Sequence, residues 1–204
     1  MTQALPPGGV AADDPPWDAW HPREVAARLA GVATPWWVAG GWAIDLFGGE
    51  QSRPHDDVEI AVPRAGFAEI RAALAELAVD VVGSGRIWPL DSPAFDVMHQ
   101  TWFREPGTGV YRLDVFREPH EGQTWICRRD ESIRAPFAQI RRRTADGIPY
   151  LVPEVVLLFK AKAARAKDES DFARTLPRLD DAQRSWLRKM LERAHPGHAW
   201  IALL

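Results

Sequence analysis

The 204-residue chain has a single cysteine, Cys127, so no internal disulfide can form and a reducing, cytoplasmic setting is the simplest expectation. Long apolar runs are also missing. The longest, 35–44, has about ten residues and includes two glycines, whereas a membrane span needs about twenty. The N-terminus lacks a basic region followed by an apolar stretch, so no secretory signal is read there. Charge of one sign is not in excess: net −3 with a pI of about 6.1 gives no general reason to expect a nucleic acid or other polyanion as partner. Lysine is scarce, with only Lys160, Lys162, Lys167 and Lys189 among 25 cationic residues, all in the last quarter. Tyrosine is scarce too, with 2 against 10 tryptophans. That excess of Trp implies either a bulky core or aromatic binding walls, and composition alone leaves both open.

What is present reads as a mixed α/β chain ending in helices. Residues 1–16 are rich in Pro, Gly and Ala and read as a flexible leader. A helix is expected over 22–30, a buried strand over 36–39 ended by Gly40–Gly41, and a short helix over 42–47. Residues 57–62 alternate Val58, Ile60 and Val62 with Asp57, Glu59 and Ala61, the pattern of a half-buried strand. Phe67, Ile70, Leu74 and Leu77 mark an amphipathic helix. Further strands are expected at 79–82, 86–90, 96–103, 110–116 and 123–127, and a hairpin pairs 139–143 with 148–152. From Pro153 the pattern is helical, with Asp168 and Asp180 or Asp181 as caps. The domain reading is therefore a leader at 1–16, an α/β domain at 17–152 and a helical region at 153–204.

The sharpest chemical feature is Gly40–Gly41, followed after fifteen residues by Asp57–Val58–Glu59. Residues two apart on a strand face the same way, about 7 Å apart, so Asp57 and Glu59 project together. Paired carboxylates on a half-buried strand call for a cation, and Mg²⁺ takes such oxygen ligands together with substrate phosphates. Glycines before a helix let a phosphate approach its free N–H groups. The alternative is a Gly turn beside a strand with a solvated face. Asp114 interrupts the apolar run Leu113–Val115–Phe116 and supplies a third carboxylate if that strand lies beside the first; otherwise it is a surface Asp paired with Arg112. Three converging carboxylates would suit a two-metal site.

The segment WWVAGGWAIDLFGGEQSRPHDDVEIAV resembles the nucleotidyltransferase superfamily that includes DNA polymerase β, and within it most closely the aminoglycoside 2''-adenylyltransferases, with the lincosamide enzymes as a near branch. YLVPEVVLLFKAKAARAKDESDF resembles the C-terminal stretch of such proteins. The resemblance implies a small mixed sheet flanked by helices and a C-terminal helical region. It implies Mg²⁺ as metal and ATP as donor, with transfer of AMP to a hydroxylated small molecule and release of pyrophosphate. Carried onto this sequence, Asp57, Glu59 and Asp114 would hold the metal, Asp114 alternatively taking a proton, and Gly40 and Gly41 would contact the triphosphate. Glu59 stands where the nearest antibiotic enzymes carry Asp, and Gly41 where a Ser is common elsewhere in the superfamily. Arg53 and His55 could touch phosphates, or be a surface Arg and a His satisfied by Asp56. Lys160, rather than Lys162, is the cation expected to reach the β- or γ-phosphate, the alternative being a solvated side chain. Asp45 could act in catalysis or with the helix dipole.

An antibiotic-like acceptor with several ammonium groups would need acidic walls, for which Asp91, Asp96, Glu118 and Glu121 are available, and Trp88, Trp102 and Trp125 could line its pocket. Two other classes share the resemblance. A toxin-type enzyme modifying RNA or protein would need a basic surface, which the net charge does not support. A non-catalytic nucleotide-binding relative would not need Asp57, Glu59 and Asp114 together.

Overall fold

The computed structural model describes residues 5–204. Of the leader read over 1–16, the first four residues lie outside the described residues. In chain order the elements are β1 (Val10–Ala11), α1 (Pro22–Arg28), β2 (Trp37–Val38), α2 (Gly40–Gly48), β3 (Glu59–Pro63), α3 (Phe67–Ala73), β4 (Ala78–Gly83), β5 (Arg86–Pro89), α4 (Ala94–Val97), β6 (Gln100–Arg104), β7 (Tyr111–Glu118), β8 (His120–Glu121), β9 (Thr124–Ile126), β10 (Arg134–Pro136), α5 (Phe137–Ile140), β11 (Arg141–Arg143), β12 (Pro149–Leu151), α6 (Pro153–Lys160), α7 (Ala166–Thr175) and α8 (Asp181–Ala194). This is the mixed α+β class expected from the sequence. No helix among the described residues is long and apolar enough to cross a membrane. Contacts divide the chain into one unit of 1–36 with 56–118 and a second of 37–55 with 119–204. The 152/153 boundary read from the sequence falls inside the second unit, where β12 gives way to α6.

The first unit is built on strands in the order β1-β5-β4-β6-β7-β3, antiparallel throughout except for the parallel pair β7/β3. Val58, Ile60 and Val62 are fully buried, as their alternation requires, with Phe67, Ile70, Leu74, Phe103, Leu113 and Val115 in the same unit's core. Arg117 is buried with them. Its guanidinium lies 3.8 Å from the Phe95 ring and donates to the Phe95 and Met98 carbonyls, and burial lowers its pKa to about 10. Trp88 packs with Val81, its register partner, and donates to the Pro6 and Pro7 carbonyls at 3.2 and 3.1 Å. Val10–Ala11 pair with β5, so part of the proline-rich leader is a strand.

Three local departures have physical causes. Residues 96–97, expected in a strand, belong to α4, because Ser92 Oγ accepts from Ala94 N–H and starts a helical turn behind Pro93. The register between β6 and β7 shifts between Phe103 and Arg104, a bulge that pairs Tyr111 with Arg104 and Leu113 with Phe103. It puts Tyr111 on the Asp114 face, not the opposite face that strict alternation gives. Finally, α2 begins at Gly40 itself, two residues before its expected start.

The second unit contains β2 and β12 in parallel with β11 antiparallel beside them, and the separate ribbon β10-β9-β8. Helix α6 buries Val155, Val156, Leu157 and Leu158. Helix α8 buries Leu187 and Leu191 and is capped by Asp180, as expected. Trp200 stacks on Phe172 at 4.2 Å. Trp125 is 1% exposed and meets the Phe159 ring edge-on.

Candidate active site

In the first unit, the parallel register of β3 and β7 sets Glu59 opposite Asp114. Asp57 lies just before β3 and keeps the alternation, on the side away from Val58. One carboxylate oxygen from each of Asp57, Glu59 and Asp114 lies within 4.8 Å of the others. The convergence that the sequence left conditional is therefore present. Arg112 is not the partner of Asp114, since it pairs with Asp18 and with Glu105 at 2.8 Å.

Asp114 is 1% exposed. Its Oδ2 accepts from the Gln100 side-chain amide, and its Oδ1 has no hydrogen-bond partner. Burial pushes its pKa well above the usual carboxylate range; Glu59 and, more weakly, Asp57 add to that, against the opposing pull of Gln100 and the Trp102 indole. A buried, unpartnered carboxylate oxygen beside two further carboxylates is a donor set that suits a hard divalent cation, because the cation removes both the repulsion and the unsatisfied oxygen. These residues fit Mg²⁺.

In the second unit, Gly40 has φ +58°, a left-handed backbone that a side chain would strain. A Cβ at Gly41 would lie 2.5 Å from Arg53 Nη2 and 2.7 Å from His55 Cε1, so only glycine fits between them. Arg53 donates to the Pro54 carbonyl at 3.0 Å and lies 3.5 Å from Asp171, while its buried Nε has no hydrogen-bond partner. His55 stacks on Trp42 with centroids 4.5 Å apart. Its partner is not Asp56, as the sequence suggested, but Asp45, at 2.7 Å from Nε2. Burial opposes the Asp45 carboxylate, yet hydrogen bonds from His55 and Ser52 outweigh it and lower its pKa. Burial is also the largest influence on His55 and lowers its pKa, despite Asp45. The pair is thus a carboxylate accepting from a neutral imidazole, with Nδ1 left on the Gly41 side.

Lys160 ends α6 with a side chain only 9% exposed, and its Nζ sits 2.8 Å from Asp168 and 2.9 Å from Asp171. Lys162 is exposed. Asp168 is at the third position of α7, not at its cap, and accepts from the Arg165 backbone N–H at 3.1 Å. Burial works against its ionisation, but Arg165 and Lys160 prevail and hold its pKa at about 2. Arg174 closes the network, 2.8 Å from Asp171 and 3.7 Å from Asp45.

The sequence model of the aminoglycoside-2''-adenylyltransferase family matches residues 23–89, about a third of the chain. No curated protein matches it. Among solved structures, the lincomycin-bound lincosamide antibiotic adenylyltransferase LnuA is 18% identical, with 74% of this chain and 91% of that chain covered and a TM-score of 0.52. ANT(2'')-Ia in complex with adenylyl-2''-tobramycin is 17% identical, with 84% and 95% covered and a TM-score of 0.58. The solution structure of ANT(2'')-Ia gives 18%, 84% and 89%, and 0.56. This is a nucleotidyltransferase fold. The family resemblance read from the sequence stands, and the matched family and the solved relatives are adenylyltransferases by name.

Within that nucleotidyltransferase fold, two contributors escaped sequence reading. Gln100 has no motif and is placed beside Asp114 only by strand pairing. The partnership of Asp45 with His55 joins α2 to the loop before Asp57, and its only sequence signal is a carboxylate and an imidazole ten residues apart. Of the acidic wall candidates, Glu121 pairs with Arg134 at 2.7 Å, Glu118 is buried, and Asp91 and Asp96 are exposed.

Proposed function

We propose that the protein transfers AMP from ATP to a hydroxyl of a small molecule of the aminoglycoside-antibiotic class, releasing pyrophosphate, in the cytoplasm. The observation that carries this reading is the meeting of Asp57, Glu59 and Asp114 on one face of a nucleotidyltransferase sheet.

Asp57, Glu59 and Asp114 are the residues that hold Mg²⁺ in this reading. Bound there, the ion would neutralise phosphate charge and polarise the α-phosphate toward attack. In the alternative role for Asp114, its Oδ1, unpaired here, accepts the hydrogen of the attacking hydroxyl. Gly40 and Gly41 open α2 without side chains and contact the triphosphate through backbone N–H groups. Arg53 and Lys160 are the cations this reading assigns to phosphate, and the His55–Asp45 pair fixes the ring beside Gly41. Work of this kind is mostly positioning and charge compensation.

The acceptors of the solved relatives, tobramycin and lincomycin, define the first panel to test. The reading expects pyrophosphate release from ATP that depends on Mg²⁺ and on one of these alcohols, with the acceptor gaining the mass of an adenylyl group. Nucleotide appearing on RNA or protein instead, with no small molecule modified, would replace it by the toxin-type reading.

A further inference from the structure

The sheet face that carries the carboxylates holds one more buried polar atom without a partner. Register pairs run from Glu59 to Asp114, from Asp114 to Trp102 and from Trp102 to Asp80, so these four side chains stand in one row across β3, β7, β6 and β4. With strands about 4.8 Å apart, Trp102 is the next side chain beyond Asp114. Its indole Nε1 is closed off from solvent and has no hydrogen-bond partner. The N–H lies near enough to favour the ionised form of Asp114, whose Oδ1 is likewise buried without a hydrogen-bond partner.

A buried donor and a buried acceptor left open side by side are costly, and one hydroxyl satisfies both, because it accepts from the indole and donates to the carboxylate. The indole is held in place for this. Trp17 meets it edge-on at 5.2 Å and 80°, and Tyr111 at 5.1 Å and 69°. Tyr111 is itself fixed by its hydroxyl, which donates to Asp80 at 2.8 Å. The residue is nevertheless only partly buried. The other two tryptophans that could have met an acceptor are committed elsewhere: Trp88 points to the opposite face of the sheet, and Trp125 is packed on Phe159.

We infer that Trp102 binds the acceptor: its indole N–H donates to the hydroxyl that receives the nucleotide, beside Asp114 Oδ1, and its ring takes the C–H face of a saccharide-like ring. This inference rests on the AMP-transfer reading and adds to it the side chain that holds the hydroxylated ring of the acceptor. An aromatic face offers such a ring an apolar surface at little conformational cost, while the single N–H sets which hydroxyl lies at the carboxylates.

The test uses the whole chain labelled with ¹⁵N-tryptophan, in Mg²⁺ and a non-hydrolysable ATP analogue, with tobramycin and lincomycin as probes. The indole resonance of Trp102 is identified by its loss in Trp102→Phe. It should shift on addition of at least one probe. In turnover with that probe, Trp102→Phe should raise the acceptor KM about tenfold and leave the ATP KM within twofold, the loss expected for one neutral hydrogen bond. Trp102→Leu, which also removes the ring face, should raise the acceptor KM further. An indole resonance unmoved by both probes, or an acceptor KM unchanged in both variants, overturns the inference. Normal acceptor KM in Trp102→Phe alongside an inactive Asp57→Asn would sink this assignment alone. Absence of transfer by the unmodified chain to any acceptor would remove the underlying reading as well.

Discussion

Replacing Lys160 by methionine separates what this residue does for the fold from what it does for a nucleotide. Methionine keeps the length of the stem and removes the charge. Both carboxylates that Lys160 meets, Asp168 and Asp171, are 1% exposed, so the variant leaves buried negative charge short of a partner. Removing one member of a buried ion pair costs about 3–5 kcal/mol. Arg165 remains on Asp168 and Arg174 on Asp171, which places the expectation at the low end, about 3 kcal/mol. The depressed pKa of Asp168 agrees in scale. A fall from 3.8 to about 2 is worth about 2.5 kcal/mol at neutral pH, shared between Arg165 and Lys160. For a chain of this size, 3 kcal/mol lowers the apparent Tm by roughly 6–12 °C, readable by circular dichroism. The sign with pH is fixed by the depression. The stabilisation is complete above the unfolded value of 3.8 and is lost as pH falls through about 2, so the gap between native and variant should narrow over that window. A Tm within 2 °C of the native protein at pH 7 would refute this picture of a buried strut and leave phosphate binding as the only role for Lys160.

Other expectations follow from the same network and its neighbours. Gly41→Ala drives a methyl into Arg53 and His55 and should cost about 1–3 kcal/mol in denaturant midpoint analysis while raising the ATP KM; an unaffected ATP KM would show that no phosphate approaches there. Gly40→Ala places a side chain at φ +58° and should cost about 1–2 kcal/mol by the same measurement, with a neutral result counting against the strained helix start. Asp45→Asn weakens the acceptor for Ser52 and His55 and should destabilise by roughly 1–3 kcal/mol, visible also as a shift of the His55 ring resonances. Cys127 is buried and is the single cysteine of the sequence, so no internal disulfide can form and a reducing agent should leave Tm unchanged.

Alternation made β3 legible: Val58, Ile60 and Val62 turn inward and their carboxylate neighbours do not, because a half-buried strand leaves no other arrangement. Asp114 was legible as a polar residue in an apolar strand, but its place beside Glu59 depends on a parallel register that pairs residues 55 positions apart, which no local pattern encodes. The face on which Tyr111 stands is not legible, because a bulge cannot be seen in a run of alternating residues. The start of α2 was set too late because glycine reads as a breaker, while here its left-handed backbone forms the first helical residue. His55 was assigned to its sequence neighbour, yet a folded chain offers an imidazole partners from other elements, and Asp45 supplied the better one. The tryptophan excess resolves in the same way. Most of these side chains are buried packing, and strand register singles out Trp102 as the one of three open candidates that stands beside the carboxylates.

The central claim is AMP transfer at the carboxylate cluster, and the most direct measurement is single-turnover mass spectrometry of tobramycin and lincomycin incubated with ATP, Mg²⁺ and either the native chain or Asp57→Asn. An adenylylated acceptor is expected with the native chain and, for the variant, a rate lower by about a thousandfold, the order expected when a group central to charge stabilisation is lost. Equal rates in the two proteins would contradict that claim.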